Sequence, residues 1–279
     1  MRAVKMSKWP MIAALFVLVT IIFVSIKTLN HTTSLSYIYD NYGGTHAFAH
    51  WKEYATKYDF HLQQLFDKMP KTGLFRMLEI GVQSGGSVEI WKSFFSQRPF
   101  YYVGMDIDER CKRSEDVSQN IFIEIGSQLS VQDLLQICKK HGPFDFIVDD
   151  GGHTSTMMNT SLYTLFPSDL CMAPNSLYVI EDMHTMMFKG YSKHLMDIPN
   201  MAAEIFHKMH YYWSSSGMVD HNFVKSQHSP DKEWADRVES ISLYNSMMFI
   251  HRGYGNGRLT PFIGGKDAFP YRFIPVVPF

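Results

Sequence analysis

Phe144-Asp145-Phe146-Ile147-Val148-Asp149-Asp150-Gly151-Gly152-His153 is an apolar run of strand length that ends in two carboxylates, two glycines and a histidine. A second run, Tyr178-Val179-Ile180-Glu181-Asp182-Met183-His184, ends in a similar way. Open parallel sheets bind ligands in the crevice beyond the carboxyl ends of their strands. Two strands of one sheet ending like this aim several hard oxygen donors and an imidazole at the same crevice. Oxygen ligation suits magnesium, manganese or calcium, whereas zinc would ask for more histidine or cysteine. Taken alone, Asp149 or Asp182 would read as a solvated loop residue or a helix cap. The fixed offset of His153 from Asp150, together with the Glu181-Asp182 pair, points instead to a metal-assisted site.

Outward from these runs, strand and helix alternate. Strands are expected at Phe75 to Ile80, Tyr101 to Met105, Ile121 to Ile125, Phe144 to Val148 and Leu177 to Ile180, with helices from Ser87, Val131 and Thr154. Such alternation predicts a parallel sheet built from βαβ units. A helix near Met201 to Tyr212 and two β-rich runs, Val238 to Tyr244 and Ser246 to His251, predict an antiparallel hairpin at one sheet edge. Phe48, Trp51, Tyr54, Ala55, Tyr58, Leu62 and Leu65 recur at three- and four-residue steps. That spacing predicts an amphipathic helix from Thr45 to Asp67 whose aromatic stripe faces the core.

The 279 residues, 46% of them hydrophobic, suffice for one α/β domain and an extra segment. With 26 basic and 27 acidic residues and no Lys/Arg stripe, nucleic acid is not expected as a partner. Cys111, Cys138 and Cys171 have no C-x-x-C spacing, so buried free thiols are expected rather than a zinc site or a disulfide framework.

The uncharged stretch Trp9 to Ile26 has the length of a membrane-spanning helix. Arg2, Lys5 and Lys8 before it put the N-terminus in the cytoplasm by the positive-inside rule. Ser25-Ile26-Lys27 is a poor cleavage site, which favours an anchor over a signal peptide. The expectation is a single-pass type II protein with a luminal, Golgi-like catalytic part. Its expected segments are a cytoplasmic tail 1–8, an anchor 9–26, a stem 27–44, a catalytic domain 45–252 and an irregular tail 253–279. Asn30-His31-Thr32 and Asn159-Thr160-Ser161 are then candidate glycosylation sequons.

Leu78-Glu79-Ile80-Gly81-Val82-Gln83-Ser84-Gly85-Gly86-Ser87 runs from a strand into a helix, with glycines where the backbone must turn and approach a ligand closely. One strand later, Asp106 closes Tyr102-Val103-Gly104-Met105-Asp106, where a carboxylate can accept from both ribose hydroxyls. Together these resemble the S-adenosylmethionine site of class I methyltransferases. By that resemblance Glu79, Gly81, Gly85, Gly86 and Ser87 line the methionine side, Asp106 holds the ribose, and Ser127 lies near the adenine. The carboxylate motifs narrow the likeness to the macrocin and mycinamicin sugar O-methyltransferase group, to which the cephalosporin hydroxylase-like proteins are also similar. The likeness covers about Thr45 to Arg252.

What this resemblance implies is a Rossmann-like α/β fold. Its seven-stranded, mostly parallel sheet is flanked by helices and ends in an antiparallel hairpin; here the anchor would precede it. It also implies magnesium, or manganese, held by Asp150, Glu181 and Asp182, with His153 as base. Asp149 is placed on the cofactor side, although it and Asp150 could exchange roles. The chemistry fits the residue types. A sugar hydroxyl is barely ionised near neutral pH, a hard cation lowers its pKa as it does that of bound water, and an imidazole can take the proton. The expected function is methyl transfer from S-adenosylmethionine to a hydroxyl of a glycan or other sugar-containing acceptor. Alternatives are a phenolic or lipid-linked acceptor, with Tyr211, Tyr212, Trp213 and the loop to Asn222 as its wall, or a non-catalytic binding protein. His184 either touches substrate or supports the site. A homo-oligomer is left open.

Overall fold

The structure is a computed structural model that describes residues 34–70, 72–192, 197–211 and 230–253. Seven strands form one sheet: β1 (Phe75–Ile80), β2 (Phe100–Asp106), β3 (Ile121–Ile125), β4 (Phe144–Asp149), β5 (Met172–Ile180), β6 (Val238–Tyr244) and β7 (Met247–Arg252). Their order is β3-β2-β1-β4-β5-β7-β6. The first five run parallel, and β7 pairs antiparallel with both β5 and β6. Because β1 lies between β2 and β4, the chain winds outward in both directions from this point, and a crevice opens beyond the strand ends there.

Among the described residues the α-helices are α1 (Leu35–Asp40), α2 (Lys52–Asp67), α3 (Gly86–Phe94), α4 (Val131–His141), α5 (Ser155–Leu165), α6 (Asp197–Met209) and α7 (Pro230–Arg237). Strand side chains alternate between two apolar layers, as the period of two requires. Met77, Tyr102, Phe146 and Val148 pack with Tyr58, Leu62 and Trp91 on one face. Leu78, Val103 and Ile147 pack with Leu134, Leu162 and Ile205 on the other.

Several expectations are corrected. Among the described residues no helix is long and apolar enough to cross a membrane. Trp9 to Ile26 lies outside those residues, as do Asn30-His31-Thr32, Tyr212 to Asn222 and the tail from residue 254. The fold class is a Rossmann-like α/β domain with a mixed sheet and, among the described residues, no spanning helix. Within the expected stem, α1 packs Leu35 and Ile38 into the core, and Asp59 of α2 accepts from Leu35 N and Ser36 Oγ. The helix expected from Thr45 begins only at Lys52. Thr45 N, Thr45 Oγ1 and His46 Nδ1 all meet the Glu89 carboxylate, and Ser84 Oγ donates to Ala47 O, so tertiary bonds hold this segment in a non-helical path.

Cys138 and Cys171 form a disulfide, against the expected free thiols, because the end of α4 and the residue before β5 meet with Cα atoms 4.7 Å apart. The sequon at Asn159 falls inside α5, and its third residue, Ser161, is sealed against Asp149.

A buried histidine pair joins α2 to the hairpin. His61 Nδ1 meets His251 Nε2 at 2.8 Å, and His61 Nε2 meets the Tyr244 hydroxyl at 3.0 Å. Burial, with the neighbouring His251 for His61 and Lys68 for His251, pushes each imidazole down to about 4. In the unfolded chain the value is about 6.5. The unfolded state then binds protons first, so stability is complete above pH of about 6.5 and is lost as pH falls toward about 4. The thermal midpoint should drop between about pH 7 and pH 5, and His61→Leu should flatten that drop. An equal slope in wild type and variant would show that this pair does not carry the effect.

Candidate active site

Strand register brings the site together. Ile80 pairs with Asp149, and Asp149 with Ile180, so the next residues, Gly81, Asp150 and Glu181, emerge side by side. Gly81 N, Asp150 N and Glu181 N each bond to the neighbouring strand at 2.8, 2.9 and 2.9 Å. Gly81 has φ of +96°, and a Cβ there would lie 2.0 Å from Asp150 O. Its lack of a side chain is thus needed for two strand ends to touch, and not only for a ligand to approach.

A crevice of about 570 Å³ opens over this loop, lined among others by Gly81, Gly86, Ser87, Asp106, Ser127, Asp150, His153 and Asp182. Asp106 Oδ2 accepts from Val82 N and Gln83 N, both at 2.9 Å, and Oδ1 accepts from Asp108 N at 2.9 Å. Burial pushes this carboxyl up, but the three amides outweigh it and hold Asp106 below the usual carboxylate range. The carboxylate expected at the ribose therefore also sets the shape of the glycine turn. Gly85, with φ of +89°, caps α3 rather than lining the crevice.

Two residues expected at the cofactor lie behind the wall. Glu79 is fully buried and accepts from Ser87 Oγ and Trp91 Nε1, each at 2.9 Å, and from the Tyr102 hydroxyl. Burial pushes it up to about 7 against those bonds. It braces the start of α3. Asp149 is also buried, accepting from Gln128 Nε2 at 2.6 Å, from Ser161 Oγ and from the Tyr178 hydroxyl. Burial raises its pKa too. Strand alternation turns Asp149 inward while Asp150, one residue on, faces the crevice. Of the two, Asp150 lines the crevice and Asp149 does not.

Asp150, Glu181 and Asp182 converge with three histidines. His153 Nε2 lies 3.9 Å from Asp150 Oδ1 and 3.8 Å from Asp182 Oδ2, and its Nδ1 is buried without a hydrogen-bond partner. His153 and Asp182 both hold left-handed backbone, φ 56° and 53°. That costs on the order of 1–3 kcal/mol each and tends to persist at functional sites. His184 sits at the rim, with Nδ1 2.5 Å from Ser246 Oγ and 3.9 Å from Asp182 Oδ1.

The sequence reading missed part of this site. His50 places Nε2 3.3 Å from Asp150 Oδ2 and Nδ1 3.3 Å from Glu181 Oε2. Burial pushes His50 down, yet Glu181 and Asp150 outweigh it and hold the imidazole at about 10. Tyr54, assigned to a core stripe, donates its hydroxyl to Asp182 Oδ1 at 2.7 Å, and Tyr58 donates to Glu181 Oε1. Their spacing of four along α2 was visible, but not the carboxylates their hydroxyl ends would meet. Glu181 is 1% exposed. Burial, helped by Asp150 and Asp182, pushes it up to about 8 while His50 and Tyr58 pull it down.

A second cavity of about 410 Å³ lies beyond these residues, lined by Ala49, His50, Trp51, Lys52, Tyr54, Asp150, Glu181 and Asp182. His50, Asp150 and Asp182 belong to both cavities, so the cluster forms the wall between them. Trp51, expected in the core, is 56% exposed, with its ring centroid 5.8 Å from that of His184.

No family model matches the chain. It is 29% identical over 240 residues to the demethylmacrocin O-methyltransferase of Streptomyces fradiae, covering 81% of this chain and 53% of that protein. It is 29% identical over 214 residues to the mycinamicin VI 2''-O-methyltransferase of Micromonospora griseorubida, covering 74% and 49%. The chain thus spans about half the length of these relatives. Among solved structures, the MycE methyltransferase of the mycinamycin biosynthetic pathway, in complex with Mg and SAH, superposes with a TM-score of 0.63. That match has 26% identity over 83% of this chain and 56% of that one. These relatives are bacterial, and no helix among the described residues is long and apolar enough to cross a membrane, so the luminal type II address is withdrawn. The chain is homologous to the macrocin and mycinamicin sugar O-methyltransferases over most of its length and shares the fold of the MycE methyltransferase.

Proposed function

We propose that this chain transfers a methyl group from S-adenosylmethionine to a hydroxyl of a sugar-containing acceptor, a glycan or glycoconjugate, with magnesium or manganese as cofactor. One observation carries the reading: the carboxylates ending β4 and β5 form the wall between the crevice over the glycine loop and a second cavity. A divalent cation fits there. Among the described residues, the ion-pair partners of Asp150, Glu181 and Asp182 are histidines alone, so three acids converge without a lysine or arginine.

In this reading Asp150, Glu181 and Asp182 hold the cation, which when bound lowers the pKa of an acceptor hydroxyl. The donor occupies the crevice, with Asp106 at its ribose, Ser127 near its adenine, and Gly81, Gly86 and Ser87 at its methionine end. The acceptor enters the second cavity, where the exposed Trp51 ring offers a flat apolar face to a sugar. His153 Nε2, the nitrogen facing the carboxylates, takes the hydroxyl proton. The oxygen forms its bond to the methyl carbon as the carbon–sulfur bond breaks and its electron pair returns to sulfur. The leaving group is neutral, so alignment of three atoms and exclusion of water are the protein's main contribution.

The test is to incubate the full chain with S-adenosylmethionine, Mg2+ and a panel of methyl glycosides and macrolide glycosides. Parallel calorimetric titrations follow the donor and the ion. Donor and ion binding with methylation of a glycoside is expected. A folded sample that binds neither ligand would end the catalytic reading in favour of a binding protein, and methylation of phenols alone would move the acceptor class.

A further inference from the structure

We infer that His50 is a nitrogen donor of the cation centre, so that the site holds a transition ion such as Co2+ or Mn2+ more tightly than Mg2+. This rests on the proposed reading of Asp150, Glu181 and Asp182 as cation ligands.

Among the described residues two overlapping sets could hold an ion, and Asp150 belongs to both. His50, Asp150 and Glu181 offer one donor atom each within 4.8 Å of one another, as do Asp150, His153 and Asp182. In the first set the imidazole lies between the two carboxylates. Its Nδ1 is buried with no hydrogen-bond partner, although Glu181 Oε2 is only 3.3 Å away. A buried nitrogen that faces a 1% exposed carboxylate without forming a hydrogen bond to it leaves both groups with unused donor capacity. A cation drawn between them would use both.

The ring is not free to leave. Phe48 stacks on it at 4.6 Å with planes 16° apart, and Tyr39 and Tyr54 meet it edge-on at 6.1 and 6.4 Å. The segment before it is tied to α3 through Glu89 and Ser84. An imidazole fixed in this way is a preorganised donor rather than a mobile surface group. Oxygen donors alone suit Mg2+, whereas an added imidazole strengthens binding to ions later in the transition series far more. His153 would stay outside the ion's ligand set, which leaves Nε2 to accept the acceptor proton.

The experiment pairs calorimetric titration of Co2+ and of Mg2+, on wild type and His50→Gln, with pulsed electron paramagnetic resonance of the Mn2+-loaded protein. Wild type should favour Co2+ over Mg2+ by at least about tenfold. His50→Gln should lose about tenfold or more in Co2+ affinity while Mg2+ changes less than about threefold, collapsing the ratio. The Mn2+ spectrum should show a directly bound nitrogen that disappears in His50→Gln and persists in His153→Asn. If His50→Gln does not fold, persistence of the nitrogen signal in both His153→Asn and His184→Gln assigns it to His50. A Mn2+ spectrum without bound nitrogen, or one that loses it in His153→Asn, overturns the inference and leaves the proposed function standing. So does equal weakening of both ions, or tightening of both as expected if His50 were only a positive bridge. No ion binding by wild type would remove both.

Discussion

The Asp150→Asn/Glu181→Gln double variant binds Mg2+ more than about 100-fold more weakly than wild type, since partners one step beyond a metal's ligands already cost about 10- to 100-fold. Methyl transfer falls with it. The replacements keep shape and hydrogen-bonding capacity, so the Tyr58 hydroxyl still has an oxygen to meet. They relieve the mutual repulsion of Asp150, Glu181 and Asp182 but take both carboxylate partners from His50, so the ion-free variant should still fold, as its circular dichroism spectrum would show. This combination, lost ion binding with an intact fold, distinguishes a metal centre from a structural acid cluster. Unchanged Mg2+ affinity in a folded double variant would sink the assignment.

His153→Asn lowers kcat by about 100- to 10,000-fold, the span of a positioned general base, while donor and Mg2+ affinities stay within about threefold. Asparagine is chosen because it tolerates left-handed backbone, and His153 has φ of 56°. The expected split, kcat down with binding kept, separates proton transfer from positioning. If the variant binds the donor and Mg2+ normally and also keeps most of its kcat, the base lies elsewhere, with His50 and His184 the nearest imidazoles to the carboxylates.

Much of the sheet was legible because its signals are local. β-rich runs marked β3 at Ile121–Ile125 and β6 at Val238–Tyr244 with their observed bounds, and Thr154 caps α5 through its own hydroxyl. The glycine turn and Asp106 were readable for the same reason. What misled was also local. The helical spacing runs through Phe48 and Trp51 into α2, so Thr45–Trp51 looked helical, yet bonds to Glu89 and Ser84 hold it in a non-helical path. Cys138 and Cys171 gave no spacing signal because their pairing depends on where α4 ends against the residue before β5.

The sequence by itself determined which residue types stand at the strand ends: Asp150, Glu181, Asp182 and His153, with a glycine turn upstream. Short-range sterics and the period-two pattern are written along the chain. Only the tertiary structure decided that Asp149 and Glu79 turn inward, that His50 and Tyr54 join the carboxylates, and that one acid cluster divides two cavities. Those outcomes depend on strand register and on the packing of α2 against β5 and β7. The contacts of His50 and Tyr54 join positions a hundred residues or more apart, as with the Tyr54–Asp182 hydrogen bond, separated by 128 residues. No window of sequence contains both ends of such a contact.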